Sequence, residues 1–207
     1  MHKFERSSIK QFDWWGKHQV LFHSWFQHIN KQIAKMIKPK EGMSILDVGC
    51  GWGLLLKKLA QLDMDLNLYG IDISPEMILI AKKGCNRSNI WINQGSANKL
   101  PYEKNKFDIV TCILSFHHHP DSLHSLKEMY RVLKPGGKII LLDPFNDGIL
   151  RKIMTYLIGF FFQEHNVHIY SKTERCNLFE SVGFINILQR QQNYYRLLTT
   201  AQKPTES

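Results

Sequence analysis

The sequence predicts an α/β fold, a mostly parallel sheet with helices on both faces that ends in an antiparallel hairpin. Three observations predict it. From Ser44 to Asp143, short apolar runs alternate with segments of helical period, the order that repeated βα units produce and that a parallel sheet covered on both faces requires. Residues 45–60, "ILDVGCGWGLLLKKLA", pass from an apolar run through three spaced glycines into a helix-like stretch, which lets backbone approach a ligand closely just before a helix begins. The chain then closes with "INILQRQ", a turn near Gln192 and Asn193, and "YYRLLTTA", two strands close enough to pair as a hairpin.

The elements follow in order. From Lys17 to Ile37 the apolar residues Leu21, Phe22, Trp25, Phe26, Ile29, Ile33, Met36 and Ile37 recur at three- and four-residue spacing, which predicts an amphipathic helix. Residues 1–40 are therefore read as an N-terminal helical cap and 41–207 as the main domain, the whole forming one globular unit. "SILDV" is a short buried strand and "GLLLKKLAQL" a helix; "NLYGID" is the second strand. "SPEMILIAKKG" is a helix with Ser74 as N-cap, Pro75 at its first position and Gly84 as terminator, since a hydroxyl can hold an orphan amide and proline lacks one. "NIWINQ", "FDIVTCIL" and "GKIILLD" are further strands, and "DSLHSLKEMYRVL" is a helix stopped by "KPGG". "SKTERCNLFESVGF" is a helix with a glycine stop before the hairpin, and the tail "QKPTES" is expected to fray.

At 207 residues and 24.3 kDa, the chain can bury one core but not a nucleotide domain plus a full substrate domain, which counts against a two-domain dehydrogenase. Cys50, Cys85, Cys112 and Cys176 lie far apart without metal-ligand spacing and read as free thiols of a reducing compartment. The start "MHKFERSSIK" lacks an apolar signal core, and the run "IMTYLIGFFF" at 153–162 is far short of a membrane span. A cytoplasmic location is expected. The net charge of +9 is carried by scattered lysines, among them Lys31, Lys57, Lys82, Lys104 and Lys127, so nucleic acid is not the expected partner.

The spelling Asp47-x-Gly49-x-Gly51-x-Gly53 decides between two nucleotide readings. A dinucleotide fingerprint needs G-x-G-x-x-G, and Leu54 stands where its third glycine belongs. The motif instead resembles motif I of the class I S-adenosylmethionine-dependent methyltransferases. "LYGIDISPEMILIAKK" is similar to their motif II, and "FDIVTCILSFHHHPDSLHSLKEMYRVLKPGGKIILLD" to their fourth and fifth strands with the helix between. "YSKTERCNLFESVGFINI" and "YYRLLTTAQKP" match their ending. The resemblance runs from Ser44 to Pro204 and is strongest to the small-molecule subgroup that holds the ubiquinone and menaquinone biosynthesis methyltransferases.

This resemblance implies a Rossmann-like, seven-stranded sheet with one antiparallel strand, and S-adenosylmethionine as cofactor, held by Asp47, Gly49, Cys50, Gly51, Gly53, Asp72, Ile73, Ser96, Ala97 and Leu114. Asp72, at the end of the second strand, would accept from both ribose hydroxyls. Where the family has an acid facing the adenine amino group, this chain has Ser96, whose hydroxyl can accept without a charge, with Asn98 sharing the task. His118 aligns with a histidine common in the subgroup; fixing the loop and acid–base work are both open to it. For Asp143, capping the next turn and touching the acceptor are equally open. No metal is expected at His117-His118-His119, because consecutive side chains point apart.

The acceptor is expected to be a small lipophilic molecule, quinone-like or lipid, because "PFNDGILRKIMTYLIGFFFQEHNVHIY" carries an apolar run flanked by Arg151 and Lys152. That composition also suits peripheral membrane association. Trp14, Trp15, Phe160, Phe161 and Phe162 are candidates for the roof of the site. Two competing readings remain: a nucleic-acid or protein methyltransferase, and a non-catalytic S-adenosylmethionine-binding regulator. An enzyme acting on base amino groups would carry Asn or Asp, then Pro-Pro and an aromatic, where this chain has Leu114-Ser115-Phe116-His117.

Overall fold

The computed structural model describes residues 23–149 and 167–205, together with Asp13 and Ile153. Trp14, Trp15, Phe160, Phe161 and Phe162, and the part of the first helix before His23, lie outside the described residues. The described elements are α1 (His23–Ile37), β1 (Ser44–Val48), α2 (Leu54–Leu59), β2 (Asn67–Asp72), α3 (Pro75–Gly84), β3 (Ile90–Gln94) and β4 (Phe107–Ile113). A 3₁₀ turn (Phe116–His118), α4 (Ser122–Val132), β5 (Leu133–Pro144), α5 (Lys172–Val182), β6 (Ile185–Gln191) and β7 (Arg196–Gln202) follow. They form one seven-stranded sheet in the order β3-β2-β1-β4-β5-β7-β6. Only β7 runs antiparallel to its neighbours β5 and β6.

Period-two alternation divides the strands between two cores. Ile45, Ile109, Ile140 and Leu142 face one layer with Ile29, Ile33, Leu55, Leu56, Leu59 and Ala81. Their sequence neighbours Leu46, Val110, Ile139 and Leu141 face the other, with Leu126, Met129, Val132 and Phe179. Helices are thus needed on both faces, because strands apolar on both sides leave no face for water. After β3 the chain returns across β1 to start β4, so strand order reverses between β1 and β4. At such a switch point the loops leave in opposite directions and open a crevice outside the carboxyl ends of the strands.

Helix boundaries follow their caps. Ser74 Oγ accepts from the Met77 amide at 3.1 Å with Pro75 at the first position, and Asp121 accepts from the His124 amide at 2.9 Å. Ser171 and Glu174 form a reciprocal capping box, and Gly183 ends α5 at φ 100°. Gly84 ends α3 as expected, and Cys85 caps the helix through its amide to Ala81 O. Three local expectations are corrected. Trp25 (50% exposed) and Met36 (39%) leave the apolar stripe of α1, whose buried line is Ile29, Ile33 and Ile37, spaced by four. β5 starts at Leu133, with "KPGG" as an irregularity inside the β4–β5 pairing. The start of the tail is held, since Lys203 Nζ donates to Asn105 Oδ1 and to the carbonyls of Tyr130 and Leu133. Among the described residues no helix is long and apolar enough to cross a membrane.

Candidate active site

At the end of β1 the chain turns through Gly49, Gly51 and Gly53, at φ 71°, 51° and 70°, a region that costs a residue with a Cβ. The three glycines meet different surroundings. A Cβ on Gly49 would lie 1.9 Å from Ser115 Oγ, so this glycine lets the loop after β4 press on the loop after β1. A Cβ on Gly53 would lie 2.9 Å from Cys85 Sγ and 3.3 Å from Ala81 Cβ, so it lets α2 start against α3. Among the described residues, a Cβ on Gly51 would meet nothing within 4 Å. Its backbone faces open space, as a cradle for a ligand would.

Asp72 ties the cradle to the second strand. Its Oδ2 accepts from the Gly51 amide at 2.8 Å and its Oδ1 from the Ser74 amide at 3.0 Å. A carboxylate has about four acceptor positions, more than these amides fill, so a hydroxyl donor can still be received. Burial raises the Asp72 pKa above its ordinary 3.8, against the pull of the amides of Ser74, Gly51 and Ile73. Asp47, one strand over, is buried and accepts from Thr111 Oγ1 at 2.7 Å. Burial pushes it from 3.8 up to about 7; the Thr111 bond opposes the rise and Asp72 adds to it. Asp13 joins the group from the N-terminal segment, accepting from Ser74 Oγ at 2.6 Å. The crevice therefore carries acids and suits a ligand with positive charge.

The other candidates divide. Cys50 donates its amide to Ile71 O at 3.0 Å, and its Sγ lies under Gly70, so its thiol serves packing. Ile73 is half-buried at the exit of β2, and its carbonyl accepts from Gln94 Nε2 at 3.1 Å. Ser96 and Ala97 are half-buried after β3; Ser96 Oγ accepts from the Asn98 amide at 3.3 Å. Among the described residues Asn98 Oδ1 is buried without a hydrogen-bond partner, which marks an acceptor position open to a donor. Leu114, a leucine at φ 54°, leaves β4 in a strained conformation next to the glycine loop.

The histidine run is arranged differently from the expectation. His117 and His118 do not point apart; their rings lie 3.9 Å from each other on one 3₁₀ turn. Asp143, for which a turn cap and an acceptor contact were both open, is 1% exposed and its Oδ1 lies 2.8 Å from Nδ1 of His117, not of His118. Behind it Arg175, 0% exposed, donates to the carbonyls of Pro144 and Leu197. His119 Nδ1 pairs with Ser125 Oγ at 2.9 Å, and burial pushes this imidazole down to about 4. His118 is lowered too, by burial and then by its two histidine neighbours. Among the described residues no three metal-ligating side chains gather into a site. Sequence reasoning missed His117, Asp13 and Arg175; only the last left a signal, an arginine within a helix that has to pack.

The methyltransferase domain family matches residues 46–141. The demethylmenaquinone methyltransferase of Staphylococcus aureus (strain JH9) is 31% identical over 183 residues, covering 77% of this chain and 75% of the relative. Among solved structures, a chain from the complex of the Haloferax volcanii Trm112 methyltransferase activator with a methyltransferase superposes at TM-score 0.77 and 21% identity, over 93% of this chain and 97% of that one. The Haemonchus contortus phosphoethanolamine N-methyltransferase 2 in complex with S-adenosylmethionine superposes at 0.75 and 19%, over 86% of this chain and 53% of that one. The two structural likenesses show the fold, and the relative, with the glycine cradle and Asp72 at the switch point, shows the family: the chain belongs to the class I S-adenosylmethionine-dependent methyltransferases, similar to those that act on quinones.

Proposed function

We propose that the chain transfers the methyl group of S-adenosylmethionine to a small lipophilic acceptor, quinone-like or lipid, bound at the carboxyl ends of β4 and β5. The observation that carries the acceptor class is the relationship to a demethylmenaquinone methyltransferase across three-quarters of both chains. Exposed Ile149 and Ile153, at the start of the apolar run, support it, because apolar side chains kept in water near a site favour an apolar ligand.

In this reading the open face of Gly51 and the free acceptor positions of Asp72 receive the ribose. Asp47, Gly49, Cys50, Gly53 and Ile73 shape the loop around it, and Ser96, Ala97 and Asn98 line the adenine end. Asn98 Oδ1, buried and unpartnered among the described residues, receives the adenine amino group in place of the family's acid, beside Ser96. Leu114 positions the loop that separates cofactor from acceptor. When bound, the cofactor supplies an electrophilic methyl on a positively charged sulfur; the chain's residues align the acceptor with it and exclude water. Residues 1–40 act as a cap over this domain, with Asp13 as one point of attachment.

The test is methyl transfer, read by mass spectrometry, from S-adenosylmethionine to three acceptors: a prenylated naphthohydroquinone, phosphatidylethanolamine vesicles and transfer RNA. Product on the hydroquinone or the lipid is the expected result. Product on the RNA alone would replace the lipophilic reading with the nucleic-acid one.

A further inference from the structure

The geometry points to His117 as the general base of this methyl transfer, with Asp143 and Arg175 as its positioning residues, and so to an acceptor that reacts through a hydroxyl, phenolic or enolic, that must lose its proton. The inference rests on the proposed function above.

The argument starts from the pair itself. His117 Nδ1 and Asp143 Oδ1 are 2.8 Å apart, with side-chain exposures of 11% and 1%. A carboxylate can only accept, so Nδ1 carries the proton of the neutral ring and Nε2 keeps its lone pair. Among the described residues Nε2 makes no hydrogen bond, and the ring, unlike the carboxylate, reaches the surface. The carboxylate is backed by the buried guanidinium of Arg175, which binds the carbonyls of Pro144, next in sequence, and Leu197, opposite Asp143 on β7. A buried cation needs a compensating charge, and Asp143 is the largest such influence on Arg175. Burying both groups serves no packing need that apolar residues would not meet as well.

The location suits the role. Ser115, the N-cap of the 3₁₀ turn, presses on Gly49 of the cofactor loop, so the turn that carries His117 begins beside that loop. Among the described residues, Asp143 from β5, His118 and His119 meet His117, while Cys112 from β4 and Arg175 from α5 act on Asp143, and Tyr170 on Arg175. The His168 amide donates to His117 O at 3.0 Å. His118 and His119 are both held neutral by burial, and His119 is engaged with Ser125, which leaves His117 as the ring with a carboxylate behind it.

The step balances. The acceptor's hydroxyl proton passes to His117 Nε2. The new bond joins the methyl carbon to the oxygen, or to a ring carbon conjugated with it. The sulfur–methyl bond breaks with its electron pair left on sulfur. In the carbon case the ring C–H proton returns to the oxygen.

The experiment has two arms. With a prenylated naphthohydroquinone as the probe, His117→Ala should lower kcat by roughly 10²- to 10⁴-fold with KM and S-adenosylmethionine affinity near wild type. The fall in rate toward low pH, where a general base is protonated, should vanish, and imidazole should restore part of the rate. Asp143→Asn should lower kcat while the fold stays intact by circular dichroism. In the second arm, ¹⁵N NMR of the histidine side chains in the cofactor-bound protein should show His117 with the proton on Nδ1 and a bare Nε2 when neutral, and Asp143→Asn should disturb that tautomer. Wild-type turnover in His117→Ala with the pH profile unchanged, or a proton found on Nε2, would overturn the inference. A wild type that binds the cofactor but does not methylate the probe would count against the lipophilic hydroquinone reading, and the NMR arm would still decide the base.

Discussion

Gly49→Ala is expected to destabilise the protein by about 2–5 kcal/mol, the sum of roughly 1–2 for placing a Cβ in the left-handed region and roughly 1–3 for overpacking. Both causes are visible at this residue. Its φ is 71°, and the added carbon would lie 1.9 Å from Ser115 Oγ and 2.5 Å from Ser115 Cβ. Rotating the serine moves only the oxygen, so the loop itself has to shift. The two parts can be separated, because Ser115→Gly in the same chain removes the steric share and leaves the conformational one. Urea unfolding of wild type, the single and the double variant measures this. A cost under about 1 kcal/mol for the single variant would mean that the two loops do not pack as described. In the proposed placement the loop contact borders the cofactor, so the single variant should also lose cofactor affinity.

The pH dependence of stability should show the second large effect, through Asp47. Its pKa rises from 3.8 to about 7 on folding, chiefly by burial. Between those values the unfolded chain has released a proton that the folded protein still holds, so the contribution of this group to stability is whole below pH 3.8, declines toward 7 and is flat above. At 1.36 kcal/mol per unit, the swing is on the order of 4 kcal/mol. Other carboxylates change over the same range, so the informative quantity is the difference between wild type and Asp47→Asn. The amide keeps an oxygen for Thr111 Oγ1 and has no charge to desolvate. The variant should match wild type near pH 4 and be the more stable of the two at pH 8. A constant difference across that range would show that Asp47 is ionised in the folded protein at all these pH values.

What could be read from the residues and what could not follows a physical line. Strand identity was legible because burial on both faces of a parallel sheet demands continuous apolar runs such as "SILDV" and "FDIVTCI". The hairpin of β6 and β7 was legible because its turn residues sit between two strand-like runs. The cap at Ser74 was legible because the hydroxyl and the following proline act locally. Misread features were those decided by distant contacts. Trp25 and Met36 fit a helical stripe, yet only one line of α1 meets α2. The histidine run shows the same limit at the site: a 3₁₀ turn rotates about 120° per residue, and the tertiary position of Asp143 selects His117 over His118. The division of labour among the glycines was also hidden, since only the packed structure separates a glycine that admits Ser115 from one that admits Cys85 and one that faces open space.

The central claim is that a methyl-donor cofactor sits on Gly51 and Asp72 at the switch point, and calorimetric titration tests it most directly. Wild-type protein should bind S-adenosylmethionine and not NAD. Asp72→Ala should bind S-adenosylmethionine more weakly by about 1.5–3 kcal/mol, the usual loss for hydrogen bonds to a charged group, while its circular dichroism stays native. Preference for NAD, or unchanged S-adenosylmethionine affinity in a folded Asp72→Ala protein, would contradict this placement of the cofactor.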